Sequence, residues 1–103
     1  MKAIADICII PLGVGLSLSG YVAACEKIFQ KRALKTHLHA YGTNVEGEWA
    51  DVMEALHDCH VALHEMGAPR VTTSIRLGTR NDRVQSLEDK IESVRSKMER
   101  NKD

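Results

Sequence analysis

The chain has little with which to stack bases or to attract polyanions. Its 103 residues include one Trp, two Tyr and one Phe, too few for a base-stacking platform. Lys plus Arg number 14 and Asp plus Glu number 14, so there is no basic excess of the kind that draws a nucleic acid or an anionic membrane surface. The three cysteines, Cys8, Cys25 and Cys59, form an odd set with no Cys-x-x-Cys pair, which argues against a disulfide framework and a zinc knuckle. Each lies in an apolar or helical run and is expected to be reduced and mostly buried. No apolar run reaches the ~20 residues that a membrane span needs. Lys2 and the largely apolar stretch ending Val22-Ala23-Ala24-Cys25 imitate a bacterial lipoprotein signal. Asp6 interrupts that stretch, Pro11, Gly13 and Gly15 split it, and its removal would delete a strand, so the expected location is cytoplasmic.

What is present is enough apolar material for one core. A hydrophobic content of 44% excludes disorder, and the length fits one domain spanning 1–103. So short a chain leaves much apolar surface uncovered, which favours self-association. Residues 3–11 are β-branched and end at Pro11, as suits a buried strand. Residues 12–16 read as a loop feeding a helix that Ser17 or Ser19 would cap, with Tyr21, Val22, Cys25, Ile28 and Phe29 as its apolar stripe. Residues 36–41 alternate, Gly42 reads as a turn, and Thr43 to Gly47 as the returning strand of a hairpin. A second helix over 49–66 has Val52, Leu56, Cys59, Leu63 and Met66 as its core stripe, with Gly67 ending it before Pro69. Arg70 to Arg76 is a fourth strand. Ser86 caps a last helix with Asp89 at the capping-box position, a seam of Leu87, Ile91, Val94 and Met98, and a frayed end over Arg100 to Asp103.

This order is βαββαβ with an extra C-terminal helix: an α+β sandwich with helices on one face of an antiparallel sheet. The alternation puts Asp6, Cys8, His37, His39, Tyr41, Asn44, Glu46, Thr72, Ser74 and Arg76 on the other face. That face is either a binding surface or an ordinary wetted one. His57, His60 and His64 share one stripe of the second helix, and His60 and His64 have the spacing of a two-imidazole metal pair. No carboxylate completes the set, so a plain surface stripe is the stronger reading. No metal or other cofactor is expected. Gly13-Val14-Gly15 between a strand and a helix lacks the further residues of a dinucleotide or Walker loop. No nucleophile elbow or Cys–His pair is evident, and an enzyme is not expected.

Four segments in register carry a family resemblance. They are Ala5-Asp6-Ile7-Cys8-Ile9-Ile10-Pro11-Leu12-Gly13, Ser19-Gly20-Tyr21-Val22, Gly42-Thr43-Asn44-Val45-Glu46-Gly47-Glu48-Trp49 and Arg70-Val71-Thr72-Thr73-Ser74-Ile75-Arg76. Asp82-Arg83 and Asp89 through Val94 continue the match. The pattern resembles the small thiamine-binding protein family of ferredoxin-like fold, relatives of the two-repeat pyrimidine- and thiamine-binding proteins. The resemblance implies a ferredoxin-like subunit, assembled as a dimer or tetramer, that binds thiamine or its pyrimidine precursor without chemistry on it. Family position implies ligand contacts at Ile9, Ile10 and Thr43. Glu46 and Ser19 are added on physical grounds, because a hydroxyl and a carboxylate can pair with the amine and ring edge of an aminopyrimidine. The alternative is a structural or regulatory homo-oligomer that holds no small molecule.

Overall fold

A computed structural model describes residues 1–100. The elements are β1 (Lys2–Leu12), α1 (Ser19–Lys31), β2 (Lys35–His39), β3 (Gly42–Glu48), α2 (Trp49–Glu65), β4 (Arg70–Thr79) and α3 (Leu87–Arg100). Of the end expected to fray, Arg100 is still the last residue of α3, and residues 101–103 lie outside the described range. The strands form one antiparallel sheet in the order β2-β3-β1-β4. This is the expected ferredoxin-like α+β arrangement, with α1 and α2 packed on one sheet face.

The inner face comes from alternate strand residues. Ala5 and Ile7 of β1 and Val45 of β3 pack against Cys25 and Phe29 of α1 and against Val52, Ala55, Cys59 and Leu63 of α2. Burying a side chain as large as Phe29 or Leu63 contributes roughly 1.5–3 kcal/mol. On α2 the buried stripe runs through Ala55 rather than Met66, which is exposed. The helix reverses before Met66 can turn inward: Gly67 takes φ +104°, its N–H donates to the His64 carbonyl, and the Ala68 N–H donates to that of Leu63. Arg32 just after α1 donates to Asp58 of α2 at 2.6 Å and also pairs with Glu54, tying the two helices at the surface.

Three local expectations are corrected. The residue before α1 is Leu18, which makes no side-chain cap; Ser19 is already the first helical residue. The hairpin turn is Ala40-Tyr41, since His39 pairs with Gly42, so the exposed Tyr41 belongs to the turn and not to the sheet face. Gly42 opens β3, and its missing side chain serves a close approach: a Cβ there would stand 2.7 Å from the Ile7 carbonyl oxygen.

The extra helix begins on the other sheet face. Its capping box forms as expected, with the Asp89 N–H donating to Ser86 Oγ and the Ser86 N–H donating to Asp89 Oδ2. Of the apolar seam, only Leu87 is buried; Ile91, Val94 and Met98 stay exposed.

Candidate ligand-binding site

β1 outruns its neighbour on one side. It pairs with β4 from Ala3 to Leu12 but with β3 only from Lys2 to Ile7, because the β2–β3 hairpin has already turned at Ala40-Tyr41. The Ile7 carbonyl points toward Gly42. Main-chain groups alternate sides along a strand, so those of Ile9 point the same way, past the end of β3. A stretch of strand edge is left there, with donors and acceptors that no strand takes up among the described residues.

Thr43 lies beside this edge. It pairs in register with Ile7 and points to the helix side, where it is buried, and its hydroxyl donates to Glu26 Oε1 at 2.5 Å. Glu26 follows the buried Cys25 on α1 and forms no ion pair among the described residues. Ile9 packs against the same inner core, with Val14 of the β1–α1 loop and Tyr21 of α1. That loop turns through two glycines of positive φ, Gly13 and Gly15. A strand edge, a hydroxyl and a half-buried carboxylate thus meet where β1 ends. Such a set can accept from an amine, donate to a ring nitrogen and balance a positive charge.

The five residues singled out in the sequence do not converge. Ile9 and Thr43 share the inner face. Ile10 lies on the opposite face, across from Thr72. Ser19 is exposed at the start of α1. Glu46 is three residues from Thr43, and the period of two sends it to the opposite face. There it is buried to 8% exposure, accepts the Leu87 N–H at 3.0 Å and lies 3.9 Å from Lys35 Nζ, so it belongs to the seat of α3. The residue that sequence reasoning missed is Glu26. Its only signal was an acid flanking the apolar stripe of α1.

The outer face carries paired polar and charged side chains. His39 Nε2 is 2.7 Å from Asp6 Oδ1, and Glu88 of α3 meets both Lys35 and His37 of β2. The Lys35 ammonium, with His37 and main-chain N–H groups, holds the Glu88 carboxyl down at about 2. The α2 histidines are turned to different partners. His60 Nε2 is 2.6 Å from Thr73 Oγ1, His64 Nδ1 donates to the Ala68 carbonyl, and His57 lies beside Asp58. The three cysteines are free thiols: Cys25 and Cys59 are buried and Cys8 is half-buried on the outer face.

Together these features define a ferredoxin-like α+β domain with a polar pair set at the free end of its first strand. The chain belongs to the thiamine-binding protein family, which it matches over residues 5–95. It is 50% identical over 99 residues to the UPF0045 protein sll0230 of Synechocystis, covering 96% of this chain and 82% of that one. The crystal structure of hypothetical protein MJ1052 from Methanocaldococcus jannaschii superposes with a TM-score of 0.84 at 32% identity, over 90% of this chain and 95% of that one. A candidate thiamine biosynthesis/salvage protein from Thermotoga maritima has the same fold, with a TM-score of 0.77 at 17% identity, covering 91% of this chain and 99% of that one.

Proposed function

We propose that this protein binds thiamine or its pyrimidine precursor in the cytoplasm, as a homo-oligomer and without turning the ligand over. The observation that carries the reading is the half-buried Thr43–Glu26 pair beside the edge of β1 that no strand takes up among the described residues. Thiamine offers an exocyclic amine and ring nitrogens on its pyrimidine and a fixed positive charge on its thiazolium. The Glu26 carboxylate suits the amine and the charge, while the Ile9 main chain suits the ring edge. Family membership and the thiamine-related description of the Thermotoga protein point the same way.

Isothermal titration with thiamine and with its aminopyrimidine tests the reading, together with mass analysis of the recovered ligand. Heat of binding, an intact ligand and weakened binding in Glu26→Gln are expected, with Glu46→Gln unaffected. Absence of heat with either compound overturns the ligand, and a converted ligand overturns the non-catalytic role.

Self-association to a dimer or tetramer rests on a separate observation. Ile91, Val94 and Met98 expose an apolar seam along α3 at 49%, 58% and 67% exposure, and burial against a second copy would remove it from water. The same seam favours the second reading, a purely structural oligomer, if thiamine and its pyrimidine both fail to bind. A monomer in sedimentation at micromolar concentration would overturn self-association.

A further inference from the structure

We propose that the outer sheet face carries a second ligand site, a groove for a small polyvalent anion of the diphosphate class. The groove encloses about 780 Å³ between β1, β4, the loop after β4 and the first turn of α3. That is within the range of small-molecule sites. Its charge is one-sided. Lys2, Arg76, Arg80, Arg83 and Lys90 line it against a single carboxylate, Asp6, which His39 already engages. Arg80 is partly satisfied by Asp82. Arg76 stands directly across from Asp6 in the β1–β4 register, yet neither it nor Arg83, Lys90 or Lys2 has a side-chain carboxylate at ion-pair distance among the described residues.

Gathering these cations in a chain of zero net charge costs Coulomb energy that a bound anion would offset. Asp82 and Asp89 act on Arg83 from outside the groove, and Glu48 on Lys2, which leaves Arg76 and Lys90 as the cations that a bound anion would chiefly neutralise. The wall is fixed before any ligand arrives: Glu46 holds the Leu87 N–H and the Ser86–Asp89 capping box sets the turn above it. Ile4 on the sheet, with Val84 on the rim, adds an apolar strip for an organic group on the anion. This site is on the opposite sheet face from Thr43 and Glu26, so it does not depend on the thiamine reading.

The test titrates the full chain with inorganic diphosphate and with a short alkyl diphosphate, at low and at several-fold higher salt. Wild type and Lys31→Gln, a distant surface control, are expected to bind both, with the alkyl ester tighter and both weakened by salt. Arg76→Gln and Arg83→Gln should each lose about tenfold in affinity, the usual effect of removing one charge-assisted bond, with an unchanged circular dichroism spectrum. If only inorganic diphosphate bound, the anion site would stand and the apolar strip would be irrelevant to it. Absence of heat with both probes at low salt overturns the proposal, as does an equal loss in Lys31→Gln and Arg76→Gln. Thiamine titration of Arg76→Gln should match wild type, so failure of one site is distinguishable from failure of the other.

Discussion

The Glu46 carboxylate accepts the main-chain N–H of Leu87 at 3.0 Å, across 41 residues of sequence. A buried acid thus seats the first turn of α3 on the outer sheet face, beside the buried Leu87 side chain and the Glu88 contacts with Lys35 and His37. Glu46→Ala leaves the Leu87 amide without its acceptor and removes the seat. A loss of about 1–3 kcal/mol of unfolding free energy is expected by denaturant titration, together with faster hydrogen exchange at Leu87. Glu46→Gln keeps an acceptor oxygen and should lose less.

The neighbouring Glu88 gives the seat a pH dependence. Its carboxyl lies at about 2 in the folded protein, below its ordinary 4.5, because Lys35 and then His37 stabilise the charged form. A depressed acid contributes stability above its unfolded value, and that contribution fades as pH falls through the folded one. The contacts of Glu88 with β2 should therefore weaken between about pH 4.5 and pH 2 and be unaffected near neutrality. Carboxyl titration by NMR checks this, and in Lys35→Ala the Glu88 midpoint should move back up toward 4.5.

Two backbone positions call for opposite substitutions. At Gly42 a methyl group would meet the Ile7 carbonyl at 2.7 Å, and main chain cannot yield as a side-chain tip can, so Gly42→Ala should destabilise by about 1–3 kcal/mol. Ala33, after α1, holds φ +56°, a left-handed conformation that glycine adopts without the Cβ penalty. Ala33→Gly should raise stability by about 0.5–1 kcal/mol, the strain relieved exceeding the entropy added to the unfolded chain. Melting curves of the two variants should move in opposite directions.

Sheet alternation was legible in the sequence, and it put Thr72, Ser74 and Arg76 on the outer face with Asp6 and Cys8, as the β1–β4 register does. The hairpin was misplaced because His39-Ala40-Tyr41 continues the alternation without a break and Gly42 draws the turn to itself. The same period of two already separates Thr43 from Glu46, since an odd offset along a strand changes face. Glu26 and Leu87 were out of reach for another reason. Their partners, Thr43 and Glu46, lie 17 and 41 residues away, and no local pattern encodes a contact made by tertiary packing.

Thiol chemistry should divide the cysteines by sheet face. Cys8 is half-buried on the outer face, whereas Cys25 and Cys59 sit in the core. Hydrogen bonding with Cys25, reinforced by burial, pushes the Cys59 thiol well up and keeps it protonated at neutral pH. A maleimide reagent is expected to label Cys8 first in the native protein and Cys59 only on unfolding. Rapid labelling of all three would contradict the packing of α1 against α2.

The sharpest test of the ligand site is Thr43→Val. The swap keeps side-chain shape and removes the hydroxyl that donates to Glu26. Glu26 then loses a partner, so unfolding free energy should fall by about 1 kcal/mol whether or not a ligand exists. Binding must therefore be measured where the variant is fully folded, and Thr43→Ser, which restores the hydroxyl, must accompany it. If the Thr43–Glu26 pair and the edge at Ile9 hold thiamine, Thr43→Val should weaken it by about 1–2 kcal/mol, roughly five- to thirtyfold, and Thr43→Ser should recover most of that loss. Ser19→Ala and Glu46→Gln should bind as wild type, because Ser19 is exposed outside the pair and Glu46 lies on the opposite sheet face. A folded Thr43→Val that binds as tightly as wild type would remove Thr43 from the site. Equal loss in Thr43→Val and Glu46→Gln would place the ligand on the outer face, or show that both substitutions act through the fold.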